Sequence, residues 1–159
     1  MIKKEASKLL IMLILCRLLI VRAINSITMY SEANSFSREV SKHFDSYFKE
    51  DGITTSYVEI LVLIDEQKNL SQKFIADKMK LAPSTITRFV HKLEKLGFVQ
   101  KTKDGKLVTL SVSKGKQKTV EKLKVKYKKA HTDLVDILEE NYVETTKKLL
   151  NYGFEQLNK

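Results

Sequence analysis

The stretch LAPSTITRFVHKLEKLGFV, residues 81–99, decides how this chain folds. Placed on a helix, Ile86, Phe89, Val90, Leu93 and Leu96 recur at spacings of three and four and form one apolar stripe that faces a core. The opposite face carries Ser84, Thr85, Thr87, Arg88, His91, Lys92 and Lys95, with Glu94 its single acid. Pro83 stands at the first helical position, where its missing N–H costs nothing. Gly97 is the natural residue just past the helix end. Such a face has two readings: a solvated helix surface, or a surface that meets a polyanion.

The flanks place this helix. Upstream, Ser71 is a good N-cap for a short helix that buries Phe74, Ile75 and Met79. Lys80, Leu81 and Ala82 then turn the chain. Earlier, Thr54, Thr55 and Ser56 offer caps for a helix with Tyr57, Ile60, Leu61 and Ile64 inside, ended by a polar break from Asp65 to Asn69. Residues 23–49 carry the stripe Ile27, Tyr30, Ala33, Phe36, Val40, Phe44 and Tyr47, which Asp51-Gly52 closes. Downstream, Asp104-Gly105 signals a two-residue hairpin loop. Val108, Leu110 and Val112 fall on one face of the ribbon, and Leu107, Thr109 and Ser111 on the other. Its tip is basic, with Lys101, Lys103 and Lys106. Val120, Leu123, Tyr127, Ala130, Leu134 and Ile137 then form a heptad-like seam. Asn141 and Glu144 read as a capping pair for a last helix with Val143, Leu150, Phe154 and Leu157 on one side.

Charge narrows the choice of partner. The net charge is +10, which favours nucleic acid or an anionic membrane surface. Residues 70–106 carry 9 cations and 3 acids, and residues 114–129 carry 8 lysines against Glu121 alone. Residues 23–69 and 130–159 are net acidic. At 159 residues and 43% hydrophobic, the chain can build one ordinary core. The scarcity of Gly (5) and Pro (1) argues for helices with few turns.

Chemistry of other kinds lacks its parts. His43, His91 and His131 are dispersed, and none sits at ligand spacing with Cys or another His. His131, Asp133 and Asp136 read better as a polar helix face than as a metal trio. No glycine-rich phosphate loop or nucleophile elbow occurs, so neither an enzyme nor a cofactor or metal site is expected. The single Cys16 excludes an intrachain disulfide, suits a reducing compartment, and reads as a small buried hydrophobe.

The run LLIMLILCRLLIV, residues 9–21, follows Lys3, Lys4 and Lys8. It has the start of a secretory signal, but Arg17 interrupts it and no small-x-small cleavage site follows. It is shorter than the ~20 apolar residues of a spanning helix. Three readings stay open: a helix packed into a subunit interface, a membrane-surface anchor, or an extension upstream of an alternative start at Met29.

A short helix, a tight turn, a longer helix with a cationic face and a basic hairpin make a winged helix-turn-helix. In such a unit the second helix enters the major groove and its first residues reach base edges. Ser84, Thr85, Thr87 and Arg88 hold those places, and the arginine fork matches guanine O6 and N7. Lys92 and Lys95 suit phosphates, with His91 a phosphate or base neighbour. Ser71, Gln72 and Lys73 open the preceding helix, where amides favour a phosphate. Lys101, Lys103 and Lys106 suit phosphates or the minor groove. The 18-residue seam of the later helix exceeds what one lobe covers, which argues for a dimer; an intrachain pair with residues 27–47 is the other way to cover it.

The segment LSQKFIADKMKLAPSTITRFVHKLEKLGFVQKTKDGKLVTLSVSKGKQ resembles the DNA-binding lobe of the MarR (multiple antibiotic resistance regulator) family of bacterial transcription factors. The resemblance rests on Leu70-Ser71-Gln72, Ile75-Ala76, Ser84 to Arg88, Leu93 to Val99, and the strand ending at Gly115. With flanking helices it covers roughly residues 27–157. It implies a homodimer with interlocked terminal helices, two lobes reading a pseudo-palindromic operator, and release by a small molecule bound between lobe and dimer region. The chain departs from the family pattern in four places. Lys106 stands where the family wing commonly has arginine, Ala82 replaces a capping side chain, and Ser113 to Gly115 is one residue short. Cys16 does not match the position of the family's oxidation-sensing cysteine.

The expectation is therefore a mainly α chain with a small two-stranded β wing. Residues 1–26 form an apolar and basic extension, 27–52 and 114–159 a helical dimerisation region, and 53–113 the winged lobe. The function expected is a cytoplasmic, sequence-specific double-stranded DNA-binding transcriptional regulator. It would act as a homodimeric repressor released by a small-molecule effector, without membrane association. The alternative is a membrane-associated or protein-interaction module on the same scaffold.

Overall fold

The computed structural model describes the backbone of residues 2–67, 69–104 and 107–159. Side chains are described over the same residues except 104 and 107 and, before residue 28, all but Met12, Leu15, Cys16 and Arg17. The chain divides into two compact units, Met1–Lys42 and His43–Lys159. The first is helical: helix α1 runs Ile2–Ser46, so its last turn belongs to the second unit. Cys16 is exposed rather than buried, as are Met12, Leu15 and Arg17. Nearly every position from 9 to 21 is apolar, and one helix cannot turn all of them inward. No helix among the described residues is long and apolar enough to cross a membrane.

The second unit holds the core. A 3-10 turn, Lys49–Asp51, leads to Gly52 in the left-handed region at φ 64°. There α2 begins, Thr55–Gln67. Its start is held by Asp45, which accepts from Thr55 N at 2.8 Å and from Thr55 Oγ1 at 2.5 Å. Helix α2 runs three residues into the polar break expected from Asp65, because Asp65, Glu66 and Gln67 are still helical. Helix α3, Gln72–Met79, is capped by Ser71, whose Oγ accepts from Phe74 N at 3.1 Å. Replacing Ser71 with alanine should cost about 1 kcal/mol of stability; a urea titration with an unmoved midpoint would refute this cap.

Helix α4, Pro83–Lys95, carries Pro83 at its start. It ends in paired bonds from Gly97 N to Glu94 O and from Phe98 N to Leu93 O, with Gly97 at φ 74°. That is the Schellman arrangement, and a residue without Cβ meets its left-handed backbone freely. Strands β1, Val99–Asp104, and β2, Leu107–Val112, pair antiparallel with Asp104 opposite Leu107. Asp104 therefore belongs to β1 rather than to the loop expected at Asp104-Gly105; Gly105 and Lys106 lie outside the described residues. Leu70 adds a bridge, its carbonyl accepting from Leu110 N at 2.8 Å.

Helix α5, Gln117–Leu138, packs on α2, and helix α6, Glu140–Leu157, follows directly. Asn141 is not the cap of α6. The turn is made at Glu139, whose φ is 68°, and no side chain caps the helix.

Core formation follows the apolar stripes. Phe48, Val58, Ile60, Leu61, Ile75, Ile86, Val90, Leu93, Leu110 and Val120 are all fully buried, each worth roughly 1.5–3 kcal/mol of apolar burial. In α3 and α4 two stripe members are exposed against expectation. Phe74 stays 40% exposed, since Ile75 and Ala76 take the inward places of the short α3. Leu96 is 44% exposed because it is the C-cap, beyond the last inward turn of α4. Val120, Leu123 and Ala130 of the α5 seam are buried within the chain, whereas Ile137 is exposed. Near the end of α1, Phe44 packs on Tyr127 with ring centroids 5.5 Å apart, and His43 Nε2 lies 2.8 Å from Ala130 O.

Candidate nucleic-acid interface

Burial of Ile86, Val90 and Leu93 fixes the roll of α4 about its axis. The same rotation turns Ser84, Thr87, Arg88, His91, Lys92 and Lys95 outward, with Thr85 half-buried. Ala82 provides no side-chain cap, so the amides of the first turn of α4 are not satisfied by one. These amides and the dipole favour an anion at the end that carries Ser84 and Arg88.

Neighbouring elements tie several of these side chains. Thr87 Oγ1 lies 3.0 Å from Gln72 Oε1 and 2.9 Å from Pro83 O, so its one proton is held between α3 and α4. Gln72 and Thr87 thus fix the two helices to one another. Ser71 spends its oxygen as the α3 cap, while Lys73 beside it is exposed. Lys92 Nζ sits 4.9 Å above the Tyr57 ring, which itself packs on Phe89 with centroids 5.0 Å apart.

The wing reaches back to α4. Lys101 Nζ lies 2.6 Å from Glu94 Oε2. Half-exposed, this pair contributes little to stability, but it neutralises the one acid of the α4 outer face. Lys103 is exposed further out. Lys106 lies outside the described residues.

The lysines after the wing divide. Lys124 pairs with Asp65 at 3.0 Å and Glu66 at 3.6 Å, and Lys126 with Asp51 at 2.6 Å. Lys116 Nζ lies 4.8 Å above the Phe98 ring. These three of the eight lysines of this basic run are therefore turned toward the chain's own acids and rings, a feature that charge counting alone cannot separate from an outward basic face.

The groups with shifted protonation belong to other elements. Tyr47 donates to Asp133, which raises the phenol's pKa; Lys129 and then Tyr47 hold the Asp133 carboxyl below its usual range. Burial raises Glu59, and burial together with the Glu59 charge pushes Tyr127 up to about 12. Asp133 lines an open cavity of about 520 Å³ with His43, Tyr47, Asp136 and Ile137. Its ties to Tyr47 and Lys129 make it a structural link between the end of α1 and α5. No group of three or more metal-ligating side chains is assembled among the described residues.

Comparison with known proteins follows the same segment. The MarR family model matches residues 53–106, from the approach to α2 through the wing tip. Over residues 53–106 the chain is similar to the MarR family. An uncharacterized HTH-type transcriptional regulator of Bacillus cereus is 27% identical over 92 residues, 58% of each chain. The HTH-type transcriptional regulator SarZ of Staphylococcus epidermidis is 31% identical over 68 residues, 43% of this chain and 46% of that one. The chain thus spans about half the length of the curated relatives it matches. Among solved structures, MepR of S. aureus in a complex with DNA superposes with a TM-score of 0.68 at 19% identity, covering 80% of this chain and 96% of that one. At that identity the likeness establishes the fold: mainly helical, with a winged MarR-type lobe.

Proposed function

We propose that the chain is a sequence-specific double-stranded DNA-binding transcriptional regulator, a repressor that acts as a homodimer and is released by a small-molecule effector. One observation carries the reading: α4 buries Ile86, Val90 and Leu93 completely while Ser84, Arg88, His91, Lys92 and Lys95 stay exposed. The Glu94–Lys101 pair leaves that face without a free acid. Arg88 is the base-reading residue, with Ser84, Thr85 and Thr87 close to the backbone or base edges. Ser71, Gln72, Lys73, His91, Lys92, Lys101, Lys103 and Lys106 take phosphates. Gln72 and Thr87 also set the angle at which α3 presents α4. The exposed apolar residues of α6, Leu149, Leu150 and Leu157 among them, support a partner copy there. A twofold dimer would set its recognition helices ~34 Å apart, one turn of duplex.

Selection of bound sequences from a random duplex pool tests this: a palindromic consensus with half-sites one turn apart is expected, and recovery of no consensus would refute it. Lys103→Ala should weaken binding to all duplexes alike and lower the slope of log affinity against log salt by about 1. An unchanged slope would remove Lys103 from the interface.

A further inference from the structure

Lys80 closes α3 at φ 54°, in the left-handed region that glycine enters without steric cost. Its N–H bonds toward Asp77 O, and Leu81 N bonds to Ala76 O at 3.0 Å, so the backbone is that of the Schellman arrangement with lysine in the glycine place. The Lys80 side chain runs to the C-terminal helix. Nζ lies 2.6 Å from Asn151 Oδ1 and 4.4 Å from the centre of the Phe154 ring. Asn151 and Phe154 are three apart and share one face of α6. The helix α6 has no buried residue, so few contacts hold it, and this one lies 71 residues away in sequence at the turn of the helix-turn-helix.

We propose that Lys80 is a positioning residue and α6 its strap. Gripped by Asn151 and Phe154, the ammonium ties the α3–α4 turn to the C-terminal helix, so the placement of α6 sets the pose in which α4 meets DNA. Anything that shifts α6, such as a partner copy on its exposed apolar face, is then felt at the recognition helix. The proposal rests on the DNA-binding reading for its effect on affinity, though not for the contact itself.

The full chain carries the test, as Lys80→Met, Lys80→Arg, Asn151→Ala and the double variant Lys80→Met/Asn151→Ala. Lys80→Met and Asn151→Ala should each loosen binding to the selected duplex by about threefold to tenfold. The double variant should be no weaker than the weaker single one. Lys80→Arg, which can still donate to Asn151 and lie on the ring, should restore binding. The salt slope should not move, because no phosphate contact is lost. Without DNA, the amides of Lys80 and Leu81 should exchange faster in Asn151→Ala than in the unaltered chain.

Additive losses with a lower salt slope would mean that Lys80 touches a phosphate itself, and would overturn the strap. Unchanged amide exchange in Asn151→Ala would overturn it too, as would faster exchange with unchanged affinity. Failure of the unaltered chain to bind any duplex would instead refute the proposed function, while the exchange measurement still decides the contact.

Discussion

Arg88→Ala is expected to weaken binding to the selected duplex by about 1–3 kcal/mol and to relax preference at one base pair per half-site. The expectation follows from where the core puts this residue. Val90 and Ile86 are fully buried on either side of it in sequence, so Arg88 faces outward, one turn from the uncapped start of α4. There the planar fork can meet two acceptors on one guanine edge, while truncation leaves those acceptors unpaired. Arg88→Lys keeps the charge without the fork and should recover affinity for unrelated duplexes but not the lost preference. If Arg88→Ala retains both affinity and base preference in the duplex titration, Arg88 does not read bases.

Phe48→Ala is expected to destabilise the chain by about 3–5 kcal/mol. Phe48 is fully buried and joins the core cluster of α2, α4 and α5. Removing its ring opens a cavity that the surrounding aliphatic side chains fill only in part. Domains are marginally stable, by about 5–15 kcal/mol, so this single change consumes a large share of the total. A urea titration should show the midpoint falling with little change in slope. A midpoint that stays in place would mean that Phe48 is not a keystone of the core. Measured on the folded fraction, base preference should be unaltered, which separates this loss from that of Arg88.

The two residues differ in how they could be found. Arg88 is legible from the sequence, since its place on α4 follows from a period of 3.6 and from three fully buried neighbours on the opposite side. Phe48 is not. It lies two residues beyond the end of α1, just before a 3-10 turn, where the helical period no longer says which side is inward. The stripe that includes Phe44 and Tyr47 runs out there, and the chain's turn toward Gly52 brings Phe48 into the core. Phe74 and Leu96 err the other way for the same reason: a stripe drawn past or across a short helix does not know where its last inward position falls.

The hairpin divides similarly. Alternation from residue 107 to 112 and the Asp-Gly signal place a ribbon, but its register was one residue off, with Asp104 facing Leu107. Nothing in the alternation announces that Leu70 joins Leu110, because a single bridge has no period.

By itself, then, the sequence determined the local elements of the lobe: the apolar stripe of α4, the Ser71 cap, the Pro83 start and the Gly97 stop. Each is settled by forces acting between residues at most four or five apart. Tertiary structure decided what each polar group is tied to. Glu94 is matched by Lys101 across the Gly97 turn, Thr87 by Gln72 across two helices, and Lys80 by Asn151 from the far end of the chain. Those partners meet only when packing brings distant segments within about 3 Å, and no spacing along one chain encodes that distance.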